Sequence, residues 1–208
     1  MIVFARHGQT LLNLEHRLQG RVDAPLTELG REQAARIAVV LAKSQEGLAE
    51  GGEALAGLRI VEVLTSPLLR AQETAIAIAA AVDVPVVVDD RLVEVDYGDW
   101  DGRKLNEVTS AEWRLLMGDP QFAPPGGESQ AAVAERVADF CGEHLATNRV
   151  TVAVSHVAPI KAAVLWALGI GDAKRWGVSL DVASLTRIGH RADGTAFLLS
   201  YSETAHLS

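Results

Sequence analysis

Four short stretches of this sequence carry the residue types that phosphoryl transfer uses. Arg6-His7-Gly8, with Asn13 a few positions on, follows the apolar run Ile2-Val-Phe-Ala5, while Arg70, Glu94 and His156 each follow a later apolar run. A neutral imidazole titrates near about 6.5, so one ring nitrogen is free to attack near neutral pH, and neighbouring guanidinium groups help keep it unprotonated. His7 can therefore act as a nucleophile without a separate base. The charge in phosphoryl transfer spreads over three equatorial oxygens, so the protein must chiefly supply positioned positive groups. Arg6 and Arg70 offer planar forks for this purpose, and His156 and Asn13 add further donors. Such a set requires no metal and no cofactor.

The leaving alcohol needs a proton. A carboxylic acid with a raised pKa can give one, then take a proton from the water that opens a phosphohistidine. Glu94 is the best candidate, although Asp89, Asp90, Asp96, Asp99 and Asp101 crowd the same stretch and composition does not choose among them.

These residues work together only if the fold gathers them. Ile2 to Ala5, Leu58 to Leu64, Pro85 to Val88 and Val150 to Val154 read as buried strands. Helical spacing runs from Glu28 to Lys43, Ser66 and Pro67 suit the N-cap and first position of a second helix, and Ser129 suits the cap of a third with Val133, Val137, Phe140 and Cys141 in one stripe. A further helix spans about Pro159 to Leu168, and two strands follow near Leu185 to Ile188 and Ala196 to Tyr201. Strand-then-helix order predicts one α/β domain over 1–208, three-layered, with a mainly parallel sheet and helices on both faces. Ligands of such sheets lie beyond the carboxyl ends of the strands, where the loops at 6, 66, 94 and 156 converge. The glycine-rich stretch 45–57 reads as a surface excursion. The segment from Trp113 is poorly periodic; Trp113, Leu115, Leu116, Met117 and Phe122 fit either an apolar lid over the substrate or the core of a short helical excursion.

The 208 residues carry 19 basic and 27 acidic side chains, a formal charge of −8, with no basic run. Nucleic acid and anionic membrane are thus poor partners, and an anionic ligand must be held by a few local arginines. The lone Cys141 leaves no disulfide and no zinc spacing. The apolar start lacks a secretory pattern, so cytoplasm is the expected compartment. An exposed edge strand in the tail would allow a homodimer.

The motifs taken together resemble the histidine phosphatase superfamily, the phosphoglycerate mutase-like group. They are Arg6-His7-Gly8-Gln9-Thr10 with Asn13, Gln19-Gly20-Arg21-Val-Asp23, Leu26-Thr27-Glu28-Leu29-Gly30, Ser66-Pro67-Leu68-Leu69-Arg70, Glu94 with Gly98-Asp99-Trp100, Gly126-Gly127-Glu128-Ser129 and Val154-Ser155-His156. The resemblance implies His7 as the phosphorylated nucleophile, Arg6, Arg70 and His156 as the rest of the phosphate pocket, and Glu94 as acid and base. It also puts Asn13, Gln19, Gly20 and the Val157 backbone N–H on the substrate side. Val157 stands where the family usually has glycine, and Ser155-His156-Val157-Ala158-Pro159-Ile160-Lys161 is similar to the acid phosphatase and α-ribazole phosphatase-like branch. The implied activity is a metal-independent phosphomonoesterase acting on a small phosphorylated metabolite. Its alternatives are a mutase-type phosphotransferase and a non-catalytic module that binds a phosphometabolite or phosphoprotein.

Overall fold

Apolar residues alternate along the central strands and commit both faces of the sheet to burial. In β1 (Ile2–Arg6), Ile2 and Phe4 enter one core while Val3 and Ala5 enter the other. That period of two requires a cover on each face. The computed structural model describes residues 1–46, 59–145 and 149–208. Its six strands are ordered β3-β2-β4-β1-β5-β6, with β2 Ile60–Thr65, β3 Val86–Val88, β4 Val150–Ser155, β5 Leu185–His190 and β6 Ala196–Glu203. The first four run parallel, and β5 and β6 close the sheet antiparallel.

The helices are α1 (Leu11–Leu14), α2 (Glu28–Gln45), α3 (Leu69–Val82), α4 (Ser110–Gly118), α5 (Gln130–Leu145) and α6 (Val157–Leu168). Ile37 and Leu41 of α2 and Ala75 and Ile78 of α3 pack against Val3, Val63 and Val152. Val133, Val137 and Phe140 of α5 and Ala163 of α6 pack against Phe4, Leu64 and Ala153 on the other face. The expected three-layer α/β architecture is present. Stretch 45–57 lies outside the described residues apart from its first two positions, which end α2.

One local expectation changes, and one open alternative is decided. Ser66 does not cap α3, which begins at Leu69. The Ser66 hydroxyl accepts from the Leu68 N–H at 3.2 Å and lies 2.8 Å from His156, so it serves the turn and the site, while the Leu69 N–H donates to the Asp23 carboxylate at 2.9 Å. The poorly periodic segment does contain a helix. Thr109 and Glu112 cap α4 reciprocally, and Leu116 joins Leu18, Trp100 and Val108 in a small third core against which Trp113 and Phe122 pack. Leu116 and Phe122 are therefore core, and Leu115 and Met117 face solvent.

The strand-one loop meets α2 backbone to backbone. A Cβ on Gly30 would stand 2.1 Å from the Gln9 carbonyl, and one on Gly8 would stand 2.2 Å from the Gly30 carbonyl. Neither backbone can yield without shifting the loop that follows His7. A Cβ on Gly142, in the last turn of α5, would meet nothing within 4 Å. Gly30→Ala is expected to destabilise the fold by about 1–3 kcal/mol through overpacking, and Gly142→Ala to stabilise it by about 0.5–1 kcal/mol. Denaturant unfolding of both variants checks the opposite signs.

Candidate active site

Register alone brings two histidines together. Arg6 pairs with Ser155 across β1 and β4, so the residues that leave the two strands, His7 and His156, emerge side by side with ring centroids 5.0 Å apart. Thr65 pairs with Val154, which sets Ser66 beside them. The His7 N–H donates to the Ser155 carbonyl at 3.1 Å, and the Ser66 N–H donates to the Val154 carbonyl at 3.1 Å, extending both ladders by one bond.

The hydrogen bonds fix both tautomers. His7 Nδ1 lies 2.7 Å from the Gly8 carbonyl, which only accepts, so Nδ1 carries the proton and Nε2 keeps its lone pair. Burial first, then Arg70 and Arg6, hold the His7 pKa well below the ordinary imidazole value. His156 Nδ1 accepts from Arg70 Nε at 3.2 Å, which leaves its Nε2–H to donate to the Ser66 hydroxyl at 2.8 Å. Burial and the same cations lower its pKa as well. His156 is thus a neutral ring with both nitrogens engaged by the protein, not a protonated donor.

Arg70 has no exposed surface. Besides His156, its guanidinium donates to the carbonyls of Val22 at 3.1 Å, Gly20 at 2.8 Å and Gln19 at 3.4 Å, with the Asp23 carboxylate 3.9 Å away. Burial brings its pKa down to about 10, which leaves it charged at neutral pH. The fork expected to clasp phosphate is largely spent on protein acceptors, because a buried guanidinium must satisfy its donors. Those acceptors are in turn fixed by Asp101, whose carboxylate takes the N–H groups of Gly20, Arg21 and Val22 at 2.7, 2.6 and 2.7 Å. Gly20 comes so close to Val95 that a Cβ would lie 2.5 Å from its carbonyl. Gly20 therefore builds the wall and offers no group to a substrate.

Of the acids crowded into its stretch, Glu94 is the buried one. Its Oε1 accepts from the N–H groups of Val95 at 2.9 Å and Ala158 at 3.0 Å while Oε2 accepts from Val157 at 3.0 Å. Two of these donors open α6, where helix dipole and free N–H groups favour an anion. The Val157 N–H, expected on the substrate side, goes to Glu94 instead. Oε2 accepts only one of these bonds, and Oε1 accepts two. Ser155 Oγ donates to the Leu92 carbonyl at 2.6 Å, and the Glu128 N–H donates to the Asp96 carbonyl at 2.8 Å, pinning the loop on either side of Glu94. Gly98, with φ of 50°, admits Pro125 and Gly127 where a side chain could not fit.

Arg6 donates through Nη1 to the Leu180 carbonyl at 2.6 Å, and its buried Nε has no partner among the described residues. Gln19 Oε1 accepts the Thr10 hydroxyl at 2.7 Å and lies 3.5 Å from Asn13 Nδ2, and its own buried Nε2 has no partner among the described residues. Asn13 Oδ1 caps Thr10, so Nδ2 is the group that it can turn to a ligand. The tail completes the floor. Ala183, at a left-handed φ of 56°, donates to the His7 carbonyl at 3.2 Å, and the Arg6 N–H donates to the Ser184 carbonyl at 3.0 Å. Among the described residues no group of three or more His, Cys, Asp and Glu side chains is placed to hold a metal, and no helix is long and apolar enough to cross a membrane. Sequence reading missed Asp101 as the clamp of the 20–22 loop and Ser66 as the partner of His156; only their membership of the Gly98-Asp99-Trp100 and Ser66-Pro67 neighbourhoods hinted at either.

The family profile of the histidine phosphatase superfamily (branch 1) matches residues 2–203. The chain belongs to that superfamily. A bifunctional protein of Mycobacterium tuberculosis is 36% identical over 99% of this chain and 54% of its own length. This chain thus spans about half the length of the curated relatives at that level. Phosphoserine phosphatase 1 of Hydrogenobacter thermophilus is 31% identical over 99% of this chain and 93% of its own. Among solved structures, a mycobacterial glucosyl-3-phosphoglycerate phosphatase in complex with VO3 superposes with a TM-score of 0.83 at 30% identity, covering 98% of both chains.

Both site histidines bind a proton less readily folded than unfolded. Their contribution to stability is complete above the ordinary imidazole value of about 6.5 and is lost as pH falls below it, by up to about 1.4 kcal/mol per pH unit per ring. Chemical unfolding from pH 7.5 to 5 should show stability falling, and His7→Gln should flatten that slope by about one proton. Equal slopes would remove His7 as a buried neutral ring.

Proposed function

We propose that this protein is a phosphatase that hydrolyses small phosphorylated metabolites in two steps through a phosphohistidine on His7. The hydrogen bond that carries this reading is that of His7 Nδ1 to the Gly8 carbonyl, which leaves Nε2 unprotonated beside the charges of Arg70 and Arg6, both of which also feel the Glu94 carboxylate. Phosphoserine and glucosyl-3-phosphoglycerate, named for the relatives above, belong to the same class of substrate.

In the first step Nε2 attacks phosphorus, the P–O bond to the alcohol breaks, and the departing oxygen takes a proton from Glu94 Oε2. The imidazole was neutral, so forming the P–N bond leaves the phosphorylated ring cationic, still held by Gly8 at Nδ1–H. In the second step the Glu94 carboxylate takes a proton from water, the water oxygen bonds phosphorus, and the P–N bond breaks. His7 and protonated Glu94 are regenerated. Arg6 offers its unpartnered Nε–H to the phosphoryl oxygens, Asn13 and Gln19 add neutral donors, and Arg70 contributes mainly its charge. His156 positions Arg70 and lines the pocket beside His7.

A binding module would need the cations but neither the lone pair on His7 nor the buried Glu94 carboxyl, and the naming of the relatives as phosphatases favours hydrolysis over transfer. Phosphate release from a panel of phosphomonoesters, with EDTA present, is expected to fall by at least about 10³-fold in His7→Ala, and alkaline quenching of the wild type should trap one base-stable phosphate per chain. Residual turnover in His7→Ala would refute the nucleophile. Glu94→Gln should slow alkyl phosphates by about 10²-fold or more and nitrophenyl phosphate much less; equal losses would take the proton away from Glu94.

A further inference from the structure

Glu94 is held by the first turn of α6, and that turn is not one that its own sequence favours. The first intrahelical bond runs from the Ile160 N–H to the His156 carbonyl at 3.2 Å. Of the helical residues before it, Val157 and Ala158 both give their N–H groups to the Glu94 carboxylate, at 3.0 Å each, and Pro159 has none to give. Proline suits the first position of a helix, where the residue before it is extended. Here it stands third, so Ala158 must be helical although the proline ring crowds that conformation. The hold on the acid thus depends on a residue whose neighbour pushes it the other way.

Arg175 supplies a tie from outside the turn. It lies in the 3₁₀ stretch Asp172–Gly177 that follows α6, is 2% exposed, and donates through Nη1 to the Ala158 carbonyl at 3.0 Å. That carbonyl belongs to the peptide bond that joins Ala158 to the proline nitrogen. Nη2 donates to the Asp172 carboxylate at 2.6 Å, three residues back, which answers the charge and anchors the fork from the other side. With one branch anchored, the planar guanidinium aims the other in a fixed direction. Its Nε–H is buried without a partner among the described residues, so the two terminal bonds are what offsets the burial of the group. We propose that Arg175 is a positioning residue for the acid: by holding the Ala158 carbonyl it keeps the opening of α6 helical, and with it the two N–H groups that orient the Glu94 carboxylate. It acts through Glu94 and not on the phosphate. The inference rests on the phosphatase reading and adds a residue on which its acid depends.

The test reads Glu94 through the leaving group. In kcat/KM, which reports formation of the phosphohistidine, Arg175→Met is expected to slow an alkyl ester such as glycerol 3-phosphate by about tenfold and nitrophenyl phosphate by less than about threefold. In the Glu94→Gln background the same substitution should add almost nothing for either ester, because groups that act as one unit are not lost twice. A general loss of fold slows both esters alike and multiplies with Glu94→Gln; either result overturns the proposal. Where Arg175→Met does not fold, Arg175→Lys keeps the charge beside Asp172 without the fork, and the same bias between the esters is required of it. Pro159→Ala removes the crowding at Ala158 and should recover most of the alkyl-ester loss of Arg175→Met; no recovery overturns the proposal as well. Amide hydrogen exchange needs no turnover: the Val157 and Ala158 amides should exchange about tenfold faster in Arg175→Met while Val152 of β4 is unchanged. A wild type that hydrolyses no phosphomonoester would refute the phosphatase reading, and the hold on Glu94 would then stand on faster exchange at those two amides and fall on unchanged exchange.

Discussion

A guanidinium with no exposed surface is tolerable only where every side of it meets an acceptor, and Arg70 sets that demand for the whole site. One end of its fork is taken by His156 at the tip of β4, the other by three carbonyls of the 19–22 loop, and that loop is closed by the Asp101 carboxylate. Three regions distant in sequence are thereby tied to one side chain on the first turn of α3. The arrangement gives the pocket a fixed positive charge at little reorganisation cost, which is what stabilisation of a phosphoryl group requires. Its role is electrostatic more than prehensile: the fork is occupied, and the charge remains.

The field around the pocket runs against that of the whole chain. A net charge of −8 opposes an approaching phosphate at long range. Within a Debye length of about 8 Å the local cations dominate. Arg6 and Arg70 stand on one side of that balance and Glu94 on the other. A site built this way gains its selectivity from short-range donors, and the global surface charge serves other ends, solubility among them.

Much of this was legible in the sequence because the chemistry sits at strand ends. His7, His156 and Glu94 each follow an apolar run, and once the sheet is taken as parallel they must share an edge. The helices α2, α5 and α6 were readable from periodicity, and α3 apart from its start. The remainder was hidden by contacts between distant residues. Ser66 has the right type for a cap, yet its hydroxyl is claimed by a ring 90 positions away. Asp101 looked like one of several interchangeable acids, and only the approach of Gly20, 81 positions earlier, distinguishes it. Between a lid and a short helical core the segment around Trp113 stayed undecided although Thr109 and Glu112 carry a capping-box spacing, because the apolar residues of α4 divide between a small separate core and solvent. Donor counts could not be read either: that Arg70 and the Val157 N–H are already occupied is a fact of tertiary packing.

The central position of β1 bears on how the chain is made. Ile2 is bonded in register to Thr151 on one side and Ile188 on the other, so β1, the first of the six strands in chain order, has no sheet neighbour until some 150 further residues have been added. Until then Ile2-Val-Phe-Ala5 is an unpaired apolar segment, and His7 is without the Ser155 carbonyl and the Ala183 N–H that hold its backbone. Long-range pairing of this kind slows folding and leaves sticky edges exposed while it waits. The pocket therefore comes into being with the final strands, and a nascent or truncated chain holding every catalytic side chain would still lack the floor on which His7 rests.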